Sequence, residues 1–185
     1  MRRAALVCII CTLAGCAGNA DRFLINTPAA ATPIAVPVAT IEVRDVSLPA
    51  YAAAIEISQE EQGGALRNIR TSLWADEPVR GVTAALARSL DNATSATVAA
   101  EPWPLSEPAD ALLDVRVERM LARADGSFDF SGQYAISAPD GAVRERLQRF
   151  DIRIPAAQPG ASGVAAASGA AIAALATEIA RTLAR

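Results

Sequence analysis

Between Ala111 and Ile154 three runs of alternating apolar and polar residues follow one another, and this period of two restricts the fold more than any other feature. Leu113, Val115 and Val117 alternate with Asp114, Arg116 and Glu118. Phe128, Phe130, Tyr134 and Ile136 share one parity, with Gly132 between them, and Phe150, Ile152 and Ile154 alternate with Arg149, Asp151 and Arg153. Asp125-Gly126 and Asp140-Gly141 separate the runs. Asp-Gly is a hairpin signal because glycine takes the positive φ that tight turns need. The expectation is a three-stranded antiparallel meander with one buried and one wet face.

The flanking segments supply further strands and two helices. Ile41 and Val43 are apolar on one parity, Val46 and Leu48 on the other, which predicts a strand with a bulge or slip near Asp45 that ends at Pro49. Ala53 to Ser58 and Ala65 to Leu73 read as strands around a Gly63-Gly64 turn. Asp76-Glu77-Pro78 reads as an acidic cap with proline in the first helical turn. Val79, Val82, Leu86 and Leu90 then make one buried stripe, and Asp91-Asn92 end the helix. Pro102, Pro104 and Pro108 mark a loop around Trp103, and 156–163 is a linker. The last helix runs from about Gly163 to Leu183 with Ile172, Leu175, Ile179 and Leu183 on one side. Alanine fills the rest of it and favours helix. Thr177, Glu178 and Arg181 interrupt its apolar surface, so it is not expected to span a membrane. The fold class is α+β: a mostly antiparallel sheet with two helices packed on it, on one face.

The first residues set the compartment. Arg2 and Arg3 are followed by the apolar run Ala4 to Leu13 and then by Leu13-Ala14-Gly15-Cys16. This is the pattern of a secretory signal whose cut precedes a cysteine. The run is too short to span a bilayer, which takes about twenty apolar residues. The order Leu-Ala-Gly-Cys resembles the lipobox of bacterial lipoproteins, in which the cysteine thiol carries diacylglycerol and the new amino terminus a further acyl chain such as palmitate. Several chains give a stable anchor, each buried methylene contributing ~0.8 kcal/mol. An ordinary signal without lipidation is the rival. The division expected is residues 1–15 signal, 16–40 lipidated Cys16 and an Ala/Pro-rich extended spacer, and 41–185 a single domain. Pro28, Pro33 and Pro37 give the spacer polyproline character, and Arg22-Phe23-Leu24-Ile25 reads as a short strand within it.

Composition excludes whole classes of chemistry. The chain of 185 residues has no histidine and no lysine, so a neutral-range general base and a lysine nucleophile are both absent. Cys8 and Cys11 lie in the signal, so the processed chain keeps Cys16 alone, and an acylated Cys16 leaves no disulfide, thiol nucleophile or soft-metal ligand. Removing the two signal arginines from 17 basic against 20 acidic residues leaves a net charge of −5, which disfavours nucleic acid as a partner. The carboxylate pairs Asp110/Asp114 and Asp125/Asp129 sit on strand faces and turns, Glu60-Glu61 lacks the oxygen-ligand spacing of a calcium loop, and Ser162 and Ser168 have no base. No catalytic residue, metal site or cofactor other than the covalent lipid is therefore expected. Trp74 and Trp103 stand beside a helix start and a loop, where tryptophan serves either core packing or a contact surface.

Ile41-Glu42-Val43-Arg44-Asp45-Val46-Ser47-Leu48-Pro49-Ala50-Tyr51, then Leu73-Trp74-Ala75-Asp76-Glu77-Pro78 at a helix start, resemble the ABC-type transport auxiliary lipoproteins, the lipoprotein subunit of paraquat-inducible and related MCE transport systems. Phe23-Leu24-Ile25, the meander and the alanine-rich last helix fit the same order. Ala53-Ala54 depart from it, since members often carry an Asp-Arg-Pro-type segment there. The resemblance implies a non-catalytic periplasmic lipoprotein that works with an MCE-domain tunnel protein and an inner-membrane permease and serves the passage of phospholipid or another hydrophobic molecule. Ala17, and not the aspartate of inner-membrane retention, follows Cys16, so the periplasmic face of the outer membrane is the expected location. Tyr51, Arg70 and Trp74 are the candidate partner interface, or a self-association surface in a homo-oligomer. The alternatives are an outer-membrane assembly lipoprotein that supports a barrel protein, a carboxylate-based periplasmic hydrolase, and direct lipid binding in a cavity of the domain.

Overall fold

The computed structural model describes residues 20–29, 32–155 and 157–185. The three alternating runs form β6 (Ala111–Ala122), β7 (Ser127–Ser137) and β8 (Arg146–Pro155), paired as an antiparallel meander. Gly126 and Gly141, at φ 81° and 73°, occupy the positive-φ region in the two connections. Phe128, Phe130, Tyr134 and Ile136 are at most 3% exposed and face the helices, each such burial contributing about 1.5–3 kcal/mol. Phe130 and Phe150 pack as tilted rings 5.2 Å apart. The meander carries a bulge at Val117/Arg119, opposite Gly132 and Ser131.

The remaining strands make the sheet fork. β1 (Asp21–Phe23), β2 (Thr40–Val43), β3 (Glu56–Glu60), β4 (Leu66–Trp74) and β5 (Thr97–Ala100) complete eight strands. Near its start β6 pairs with β2, which pairs with β5; near its end β6 meets β3, followed by β4 and β1. The long ladders are antiparallel, and the short pairings at the fork (β2 with β5 and β6, β3 with β6, β1 with β4) are parallel. The slip expected near Asp45 is present: β2 ends at Val43, and pairing resumes at Ser47 beside Arg116. Val43 and Val46, on opposite parities, are thereby both buried. The strand expected from Ala53 starts instead at Glu56, and Ala50–Ala53 form the one-turn helix α1, with the Ala52 and Ala53 amides donating to the Pro49 carbonyl.

Helix α2 (Pro78–Ala93) begins with Pro78 in its first turn, but no side chain caps it. The Asp76 carboxylate instead accepts from the Glu77 amide at 2.9 Å and pairs with Arg80 at 3.6 Å. Helix α3 (Gly160–Leu183) passes a membrane span's test of length and hydropathy, yet 67% of that window is buried in the domain. Packing, more than the interruptions at Thr177, Glu178 and Arg181, marks it as a core helix. Its alanines and glycines admit close neighbours, and the Tyr134 and Thr182 hydroxyls share a 2.9 Å hydrogen bond that ties it to β7. Burial raises the Tyr134 pKa above its ordinary value.

Over its described residues, 20–29 and 32–40, the Ala/Pro-rich segment is extended, as its composition dictates, and is laid along the domain as a strap. Ile25 lies 4.0 Å from a Cβ built on Gly81 of α2, and Asn26 crosses Gly169 of α3 so closely that a Cβ there would stand 2.0 Å from its carbonyl. Further on, the Ile34 amide donates to the Ala93 carbonyl at 2.8 Å, and Val38 is buried. The Asp110 carboxylate clamps the strap's end, accepting from the amides of Ala39 and Thr40 at 2.8 and 3.0 Å. Those backbone bonds hold its pKa below 3.8. A depressed carboxylate stabilises the fold above its unfolded pKa and loses that contribution as pH falls through the folded value. Amide exchange at Ala39 and Thr40 should therefore accelerate as pH drops below 3.8, after correction for intrinsic exchange. Asp110→Asn should exchange faster than wild type at neutral pH and show no such pH step.

Candidate functional site

The fork leaves a gap along β6 between Ser47 and β3, and Tyr51 fills it. A backbone amide facing such a gap needs a partner. α1 delivers the Tyr51 hydroxyl, which accepts from the Met120 amide at 3.2 Å. Tyr51, Ile57, Trp74, Met120, Phe128 and Val164 enclose a cavity of about 20 Å³, room for about one water and no more. Trp74 is 7% exposed. The structure thus brings Tyr51 and Trp74 together in the floor of the fork. Arg70 stands apart, exposed on β4 beside Thr71 at φ 54°. Trp103 is partly exposed, its indole N–H donating to the Glu107 carbonyl at 2.8 Å. Cys16 lies outside the described residues.

Two grooves flank β1. One, of about 240 Å³, runs between Phe23, Leu24, Ile25 and the α2 side chains Arg80 and Arg88. The other is wider and shallower, about 850 Å³, and is bounded by Leu24, Pro28 and the Ala165, Ala166 and Ala170 stripe of α3. Leu24 is 60% exposed and lines both. Sequence reasoning did not find these grooves; the available signal was an apolar triplet, Phe23-Leu24-Ile25, inside a stretch that otherwise reads as spacer.

The carboxylates weighed for catalysis are engaged elsewhere. Asp110 holds the strap, and Asp114 pairs with Arg116 at 3.2 Å. Asp125 accepts from the Ser127 hydroxyl and amide at 2.6 and 3.0 Å and pairs with Arg153, and these partners hold its pKa below the usual carboxylate value. Asp129 lies within 3.8 Å of Arg119, Arg123 and Arg153 on the open face of the meander. Glu60 pairs with Arg123 at 2.8 Å and Glu61 with Arg67 at 2.7 Å. Exposed pairs such as Arg67–Glu61 contribute ~0–1 kcal/mol each. The Ser168 hydroxyl donates to the Val164 carbonyl, and that of Ser162 to the Gln158 side chain. Among the described residues no group of three or more His, Cys, Asp or Glu is gathered as a metal site.

Comparison with known proteins places this geometry. Two solved structures share the fold: the crystal structure of an uncharacterized protein (TM-score 0.64, 17% identity, 85% of this chain and 99% of that one) and a Xanthomonas campestris protein of the DUF330 family (TM-score 0.62, 18% identity, 88% and 92%). No curated protein matches the sequence. The family model for the ABC-type transport auxiliary lipoprotein component matches residues 23–180, from the first strand of the strap almost to the end of α3. The chain belongs to the ABC-type transport auxiliary lipoprotein family.

Proposed function

We propose that this chain is the lipid-anchored, non-catalytic docking subunit of an MCE/ABC-type transport system that moves phospholipid or another hydrophobic molecule across the envelope. The observation that carries this is the family match over residues 23–180, with a lipobox cysteine a few residues upstream of its start. Acyl chains on Cys16 hold the domain at the periplasmic face of the outer membrane. The domain offers a contact to an MCE-domain tunnel protein, itself joined to an inner-membrane permease. Arg70 is placed to touch such a partner directly. Tyr51 and Trp74 act from beneath, keeping the surface of the fork in shape.

The test has two arms. Mass spectrometry of the processed protein should find Cys16 at the amino terminus carrying three acyl chains, and Cys16→Ser should move the protein from the membrane fraction to the soluble one. An unmodified thiol would overturn the anchor. Purification of the full chain from membranes in mild detergent should bring an MCE-domain protein with it. Recovery of an outer-membrane barrel protein in its place would favour the assembly-lipoprotein alternative.

A further inference from the structure

We propose that the pocket between the β7–β8 turn and the C-terminal end of α3 is a docking site for an acidic peptide segment with an apolar side chain, carried by a partner protein. This rests on the assignment of the chain as a docking subunit and names the chemistry of one contact. The pocket holds about 200 Å³; its apolar lining includes Pro37, Ile136 and Leu183, and its charged side chains are Arg144, Arg146 and Arg185.

Those three arginines differ from the two further along β8. On the same strand as Arg146, Arg149 pairs with Glu118 and Arg153 with Asp125. Among the described residues, Arg144, Arg146 and Arg185 have no carboxylate within 4.0 Å. Asp140 and Glu145 on the turn are exposed, and Glu178 is partly buried one turn back on α3; none of them lines the pocket. The negative end of the α3 dipole accounts for Arg185. It does not account for Arg144 and Arg146, which the β7–β8 segment brings from elsewhere. Like charges gathered around one concavity repel, and an anion seated between them relieves that repulsion. Guanidinium groups bind carboxylates through two parallel hydrogen bonds, and the apolar lining suits an aliphatic side chain between two such contacts. The processed chain carries a net charge of −5, so this is a local attraction set against an acidic whole.

Position selects a protein segment over a lipid headgroup. The strap starts with β1 against the end of β4, crosses Gly169 at Asn26 and reaches Pro37 at the pocket. From Gly169 to Thr182, α3 advances ~20 Å at 1.5 Å per residue. The pocket is therefore at the far end of α3 from the first described residues of the strap, which lie beside Ser162 and Ala165.

The probe is the blocked peptide Glu-Glu-Leu-Glu-Glu, titrated calorimetrically into the full processed chain in detergent. Wild type should bind it, with affinity falling as salt rises. Joint replacement Arg144→Gln, Arg146→Gln and Arg185→Gln should weaken binding by about tenfold or more, as loss of close charge pairs does at other interfaces. Arg116→Gln, on the open face of the meander, should leave it unchanged. Arg144→Glu on the exposed turn repeats the test if the triple variant melts lower than wild type. Equal binding by wild type and the arginine variants would overturn the proposal. So would displacement by inorganic phosphate at peptide-like concentrations, or arginine-dependent capture of phosphatidylglycerol vesicles without peptide binding. If the triple variant still co-purifies with the MCE-domain protein as wild type does, the site is refuted and the docking assignment stands. If wild type brings down no such protein, that assignment fails, and the titration still decides the site.

Discussion

Gly132→Ala should cost about 3 kcal/mol or more, at the upper end of what overpacking does in a protein interior. A Cβ on Gly132 would stand 2.2 Å from the Arg116 carbonyl oxygen and 3.0 Å from the Val117 Cα. Both neighbours are backbone, so neither can swing aside as a side chain would. They belong to β6 at the bulge, where the strand turns its backbone towards β7. Retreat would break the ladder that runs from Leu112 to Ala122, and β8 would follow because it pairs only with β7. Urea unfolding followed by circular dichroism measures the loss. Gly126→Ala is the control: it sits at φ 81° with open space around its Cβ position, so it bears only the ~1–2 kcal/mol of a left-handed residue. A Gly132→Ala protein no less stable than this control would mean that the bulge can flatten.

Trp74→Ala should be about as damaging, by ~3–5 kcal/mol, the range for removing a large aromatic from a core. Trp74 separates the groove beside β1 from the small cavity beneath Tyr51, and its removal joins the two. The partially filled site of Trp74→Phe should recover part of the loss. Chemical unfolding gives the stability, and co-purification from membranes gives the effect on the partner. Both are needed, because Trp74 serves any contact from within. A Trp74→Ala variant that folded, assembled and bound its partner like wild type would remove Trp74 from the proposed interface altogether. Arg70→Ala should behave oppositely, with stability little changed and partner recovery reduced, since exposed arginine substitutions seldom move stability by more than ~0.5 kcal/mol.

The meander was legible because three independent signals agreed: parity, aromatic placement and two Asp-Gly turns. The break after Val43 was legible from a change of parity alone. α2 and α3 showed their buried stripes at spacings of three and four. β5 gave no such sign. Thr97–Ala100 is short and alanine-rich, and what holds it is tertiary, namely its parallel pairing with β2 and the Asp91 carboxylate accepting from the Val98 amide at 3.0 Å. α1 was hidden for a similar reason, since alanines beside Tyr51 suit strand or helix and the Pro49 carbonyl decides between them. At the candidate interface, chain proximity suggested that Arg70 and Trp74 share a surface. The ladder slips between Asn68 and Leu73, however, with Thr71 at φ 54°, and Trp74 is in the core while Arg70 is in water. The arginine pocket was not legible because its arginines come from two segments far apart in the chain, the start of β8 and the end of α3.

The way the strap is seated has a consequence for the order of assembly. Asp21–Phe23 complete an edge beside Ser72–Trp74, Thr40–Val43 lie between segments around 97–100 and 111–113, and Asn26 rests on Gly169. The strap finds its complete seat only once the final helix has been made, because Asn26 rests on it. Such distant closures slow folding, so the strap is among the last parts of the domain to close.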